Sequence, residues 1–135
     1  MDMDLYITKH RVMQDYLRQL TNLVNGTIDK ANAPLIAELI NKTTGVLNMH
    51  LASEDHFVYP KLLESSDEKI RSITQSYMNE MTKIADSYLA FHKNFNTPSK
   101  ILADTDEFKK TFKQVRDALL MRMDREEKEL YTFTV

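Results

Sequence analysis

Apolar residues recur along this chain in alternating steps of three and four, the spacing that aligns side chains on one face of an α-helix. From Asp4 to about Asn25 the stripe is Tyr6, His10, Met13, Leu17, Leu20 and Val24. A second stripe runs Ile36, Leu39, Thr43, Leu47, His50, Glu54 and Phe57. A third runs Ile70, Ile73, Tyr77, Met81, Ile84, Tyr88, Phe91 and Phe95, and a fourth Phe108, Phe112, Val115, Leu119, Arg122, Glu126 and Leu130. Gly26 suits the end of the first helix. Pro34, with Asn32 just ahead, suits the first turn of the second. That helix is predicted to run to about Tyr59, because Pro60 disfavours helical geometry in the residue before it, with a last turn through Lys61, Leu62 and Leu63. Ser65-x-x-Glu68 reads as a capping box opening a third helix to about Phe95. Asn96-Thr97-Pro98-Ser99 is a break. Asp104-x-x-Glu107 is a second capping box, opening a fourth helix to about Tyr131. Four amphipathic helices with short connections predict an all-α, up-down-up-down four-helix bundle, one domain over residues 1–135.

Composition narrows the function. The 135 residues suffice for one core. Lys+Arg 18 against Asp+Glu 20 leaves no basic excess to neutralise phosphates, so nucleic-acid coating is not expected. The absence of cysteine excludes disulfides, iron–sulfur clusters, zinc ribbons and thiol nucleophiles. Two glycines, Gly26 and Gly45, cannot build a phosphate-cradling loop. No Ser/His/Asp arrangement is visible, and the eight methionines read as core fillers. Apolar runs are too short to span a bilayer, and the acidic Met1-Asp2-Met3-Asp4 start is unlike a signal peptide. The expected compartment is the cytoplasm.

The informative residues are the polar ones that occupy inward positions. His10 does so on the first helix, His50 and Glu54 one turn apart on the second, and Arg122 and Glu126 one turn apart on the fourth. Glu80 lies beside the third stripe. Burying such groups is costly unless they are paired or bind a metal. They also fall near one height. His10 lies fifteen residues before Asn25 and His50 sixteen after Pro34, nearly equal climbs from the shared loop. Glu54 and Glu80 lie eleven before and fifteen after Ser65. A shared layer of His10, His50, Glu54 and Glu126, with Glu80 at its edge, is the ligand chemistry of iron or manganese. The alternatives are hydrogen-bonded core histidines, a solvated Glu80 or one paired with Arg122, and an Arg122 guanidinium forked among the carboxylates. His56 and His92 read as peripheral. Within Arg125–Glu129 only Glu126 is expected to point inward, and the Tyr77 hydroxyl is expected near the site.

Three segments carry a family resemblance. They are His10; His50-Leu51-Ala52-Ser53-Glu54-Asp55-His56-Phe57-Val58-Tyr59-Pro60; and Arg125-Glu126-Glu127-Lys128-Glu129-Leu130-Tyr131. With them the chain resembles the hemerythrin-like (HHE cation-binding) family over essentially its whole length. The resemblance implies a non-haem di-iron centre that handles dioxygen, or senses iron, oxygen or nitric oxide. By matched position, His10 and His50 would bind one iron, and Glu54 and Glu126 would bridge. Two departures matter. The third helix carries Met78, Glu80 and Met81 where the family has histidine, and the fourth carries Arg122 where the family usually has histidine. The second half-site is incomplete, which leaves three arrangements: Glu80 substitutes, a single metal binds, or Arg122 replaces the metal. The first two imply iron, one or two ions (or manganese), and a small diatomic partner such as dioxygen or nitric oxide. They suggest binding or sensing more than enzyme turnover. The third implies a metal-free helical module that offers a face to a protein partner. A homodimer fits any of the three.

Overall fold

The computed structural model describes residues 2–134. Six α-helices follow in order: α1 (Asp4–Val24), α2 (Ala33–Ser53), α3 (Tyr59–Leu63), α4 (Glu68–Phe95), α5 (Pro98–Ala103) and α6 (Thr105–Lys128). A π-helical turn, Glu54–Val58, joins α2 to α3, and a 3-10 segment, Leu130–Thr134, follows α6. No strand occurs among the described residues. The four long helices form an up-down-up-down bundle in which α1 packs on α2, α2 on α4, α4 on α6 and α6 on α1.

The inward stripes build two apolar clusters. At one end Met13, Leu17, Leu20, Val24, Ile36 and Ile40 meet the rings of Phe91, Phe95, Phe108 and Phe112. At the other end Met3, Tyr6, Val58, Tyr59, Leu62, Tyr77, Leu130 and Tyr131 pack together. His10 falls between Tyr6 and Met13, His50 and Glu54 between Leu47 and Val58, and Glu126 between Met123 and Leu130. The polar residues therefore form a layer sandwiched between two hydrophobic plugs.

Several boundaries differ from the sequence expectation. α4 is capped by Asp67, whose Oδ1 accepts from Lys69 N at 2.9 Å, while Ser65 Oγ accepts from Asp67 N at 3.1 Å. Ser65 thus shapes the turn before the cap. Asp104 caps α6 by accepting from Glu107 N at 3.0 Å. The Glu107 carboxylate accepts from Thr111 Oγ1 at 3.3 Å. The break at Asn96–Ser99 is a corner: Thr97 caps α5, Pro98 occupies its first turn, and Ile101 is buried. α6 stops at Lys128, and the chain tightens into the 3-10 segment.

The largest departure lies at Pro60. The last turn expected through Leu63 is present, but the helical path runs into it with no break before Pro60. The wider π turn ends two residues ahead of Pro60, whose ring collides with the carbonyl four residues earlier in a regular α-helix. Its i→i−5 bond runs from Tyr59 N to Glu54 O. The extra residue in that turn rotates the inward face by one position. Val58 is buried, and Phe57, expected inside, is 64% exposed. Among the described residues no helix is long and apolar enough to cross a membrane.

Candidate metal centre

Four of the residues expected in the polar layer meet. His10, in the second turn of α1, is wholly buried, and His50 projects from the last turn of α2. Glu54 opens the π turn and Glu126 lies in the last turns of α6. His10 Nε2 faces His50 Nε2 at 3.1 Å and Glu126 Oε1 at 3.1 Å. His50 Nε2 lies 3.0 Å from Glu54 Oε1 and 3.7 Å from Glu126 Oε1. One ligand atom from each of His10, His50 and Glu126 lies within 4.8 Å of the others.

The surroundings orient these atoms. His10 Nδ1 donates to Glu127 Oε2 at 2.9 Å, and Glu127 accepts from Arg11 Nη1 at 3.1 Å and Nη2 at 2.6 Å. With Nδ1 engaged by Glu127, the His10 ring turns its Nε2 inward. A carboxylate on the outer nitrogen is the arrangement that fixes a metal-ligating imidazole. Tyr6 sets its ring edge-on to His50, centroids 5.9 Å apart, and its hydroxyl pairs with Ser53 Oγ at 2.8 Å.

The layer leaves buried polar atoms unmatched. Among the described residues His50 Nδ1, Glu54 Oε1, Glu126 Oε2 and Arg122 Nε are buried without a hydrogen-bond partner. Glu54 Oε1 is close to His50 and Glu126 Oε2 is close to Arg122, yet neither contact is aligned as a hydrogen bond. Such orphans are rare in folded proteins and ask for an explanation. Atoms bonded at about 2.0–2.2 Å to one ion stand about 3 Å apart when they subtend a right angle. The separations of 3.0–3.1 Å match such an edge and the 3.7 Å from His50 to Glu126 is wider, a spread that the residues can close around a cation.

Electrostatics agree. Burial and the charge of Glu126 push the Glu54 carboxyl up to about 8. Burial opposes charge on His50, but Glu126 and Glu54 outweigh it and raise His50 to about 9. Burial also works against an ionised Glu126, but hydrogen bonds to His10 and His50 and the Arg122 charge hold it well below the carboxylate range. In the absence of a cation, protons on His50 and Glu54 neutralise the layer.

Arg122 stands next to this group. Its side chain is 2% exposed, its Nη2 donates to Tyr59 Oη at 3.1 Å, and its Nε is 3.3 Å from Glu126 Oε2. Its Cζ lies 4.5 Å above the Tyr77 ring. Nη1 donates to Glu80 Oε1 at 3.3 Å.

The structure does not bring Glu80 to the other four. Its side chain is 37% exposed, and both its oxygens accept from Arg125 Nη1 at 2.7 Å. Arg125 holds its carboxyl below the usual range. Position explains this, since Glu80 sits beside the α4 stripe and two arginines of α6 meet it at the rim. Tyr77 also differs from expectation: its hydroxyl donates to Glu129 Oε1 at 2.7 Å and the Arg125 carbonyl at 3.2 Å, turning away from the layer. His56 is exposed, and His92 pairs with Asn41 Oδ1 at 2.7 Å.

Sequence reasoning missed Tyr131, Glu127 and Tyr59. Glu127 sits in a charge run that reads as solvated, and only Arg11 beside His10 hinted at its partner. Tyr131 falls past the last regular helical turn, where periodicity stops assigning faces. A groove of about 190 Å³ lined by Leu5, Tyr6, Lys9, Val46, Met49, His50 and Ser53 opens over the layer between α1 and α2.

No curated protein and no solved structure matches the chain. The family described as hemerythrin HHE cation binding domain does match, over residues 2–134. A helical bundle with a buried His/Glu cluster at mid-height and a family match over nearly every residue lead to one assignment: the chain belongs to the hemerythrin HHE cation-binding domain family.

Proposed function

We propose that this protein binds one non-haem iron ion through His10, His50, Glu54 and Glu126, and through it binds or senses dioxygen or nitric oxide. The observation that carries the reading is the convergence of these donors, with buried carboxylate oxygens on Glu54 and Glu126 lacking hydrogen bonds. Imidazole and carboxylate together suit iron, with manganese next. Iron held there would supply a redox-active centre able to take a small exogenous ligand. Glu127 and Arg11 hold the His10 ring in its ligating orientation. Arg122 supplies a permanent charge beside Glu126, where a second cation would meet electrostatic repulsion. Glu80 is engaged by Arg122 and Arg125 and stays outside the ligand set. The apolar groove at Leu5, Val46 and Met49 gives a neutral diatomic molecule a route to His50. A chain without cysteine suits the reducing cytoplasm.

A second reading has its own observation. The buried Arg122 guanidinium pairs with Glu126 and Glu80, as in a metal-free module that meets a protein partner. One experiment separates the two. Protein purified without chelator is analysed for metal, then reconstituted with iron and melted. One iron per chain and a higher Tm support the iron reading, because a ligand of the native state stabilises by mass action. A new visible absorption band on adding nitric oxide to the ferrous protein supports the diatomic ligand. No metal, and a Tm unmoved by iron or manganese, overturns the iron reading in favour of the module.

A further inference from the structure

Tyr131 is the buried polar group at the centre of the layer that no ligand assignment uses. Its position is firmly set. Leu130 beside it is wholly buried, and Thr134 Oγ1 donates to the Tyr131 carbonyl at 2.7 Å. Its ring stacks on that of His10, centroids 5.6 Å apart at 24°, and lies 5.9 Å from the ring of Tyr6. The hydroxyl oxygen is 3.2 Å from His10 Nε2, 3.4 Å from His50 Nε2, 3.2 Å from Glu54 Oε2 and 3.4 Å from Glu126 Oε1.

Those four distances do not describe a hydrogen bond that has chosen its acceptor. A phenol has one proton, and O–H···O bonds cluster near about 2.7–2.8 Å. Here the oxygen is almost equidistant from four ligand atoms and at the favoured length from none. It sits as a further vertex of the same polyhedron, with edges close to those among His10, His50 and Glu126. Charge points the same way. Two carboxylates and one phenolate balance a trivalent cation, and hard anionic oxygens suit the ferric state.

We propose that Tyr131 Oη is a direct protein ligand of the iron, bound as phenolate. The assignment rests on the iron reading above. On binding, the phenol O–H bond breaks heterolytically. Its electron pair stays on oxygen and forms the bond to the cation, and the proton leaves to water. No oxidant or reductant is required.

Ferric loading of the wild-type protein and of Tyr131→Phe tests the proposal, with iron stoichiometry, the visible spectrum and resonance Raman as readouts. A phenolate ligand gives ferric iron a charge-transfer band in the visible, and excitation in that band enhances phenolate ring vibrations. The wild type is expected to show both, and Tyr131→Phe to retain iron and lose both. Tyr6→Phe and Tyr59→Phe are expected to keep the band, which identifies Tyr131 as its source even if Tyr131→Phe does not fold. One iron per chain without phenolate vibrations overturns the assignment and leaves the iron reading standing. A band that survives Tyr131→Phe, or vanishes with Tyr6→Phe or Tyr59→Phe in iron-loaded protein, also overturns it. A wild type that takes no iron overturns both.

Discussion

His10 and His50 turn their Nε2 atoms toward each other at 3.1 Å, across the contact between α1 and α2. One proton at most can lie between two such nitrogens, and His10 has already committed its Nδ1 proton to Glu127. In the metal-free protein a proton on His50 can bridge the two nitrogens, and a cation bound there would take its place. His50→Ala is expected to abolish stoichiometric iron binding and with it the rise in Tm on adding iron. Metal analysis after dialysis, paired with thermal melts, reads both. Retention of one iron per chain would remove His50 from the ligand set.

Glu127→Gln tests the outer support. The substitution keeps the shape but weakens the hydrogen bond to His10 Nδ1 and the ion pair with Arg11. Loss of such a partner costs about 10–100-fold in metal affinity. Competition titration against a chelator is expected to find that fall, with helical content unchanged by circular dichroism. An unchanged affinity would mean that packing alone orients the ring.

The stripes of α1, α4 and α6 were legible in the sequence because an uninterrupted 3.6-residue period assigns a face to each residue. His10, His50, Glu54 and Glu126 stood out as polar residues on those faces. Glu80 did not meet them because a residue at the edge of a stripe can swing either way, and Arg125, next to Glu126 on α6, decides the direction. The π turn escaped because its rotation depends on how the helix accommodates Pro60, which no local spacing encodes. Tyr131 escaped because it follows the end of α6, in a 3-10 segment whose twist differs from the helix before it.

Arg122→Ala separates a structural cation from a bound one. The guanidinium lies against Glu126, which is itself almost fully buried, and donates to Tyr59. Removing one member of a buried ion pair costs about 3–5 kcal/mol, because the other charge stays behind. Denaturant unfolding of the metal-free variant is expected to show a loss of that order, while iron binding persists. A loss below about 1 kcal/mol would indicate that Arg122 neutralises nothing that matters to folding.

The raised groups make iron affinity depend on pH. His50 at about 9 and Glu54 at about 8 carry protons in neutral solution, and a cation must displace them. Affinity is expected to rise between about pH 6 and about pH 9. Stability of the metal-free protein runs the other way. Both groups have folded values above their unfolded ones, so the stability they contribute is complete at low pH and is lost as pH climbs through about 8 and 9. Melts across that range, with and without iron, are expected to diverge with rising pH. Parallel curves would show that the two groups are not neutralised by protons in the metal-free state.

The register of the π turn decides where Glu54 points, and two neighbouring substitutions test it. In a continued α-helix Phe57 would fall on the face of His50 and Glu54, and Val58 would turn aside. The structure reverses them, with Val58 wholly buried against the tyrosine cluster and Phe57 64% exposed. Val58→Ala is expected to cost about 1.5–3 kcal/mol from lost burial and the cavity left behind. Phe57→Ala is expected to stay within about 0.5 kcal/mol, as surface changes do. Chemical denaturation of the two variants measures the difference directly. Were Phe57→Ala the costlier, the turn would be a regular α-turn, and the Glu54 carboxylate would lose the geometry that brings it to His50 and Tyr131.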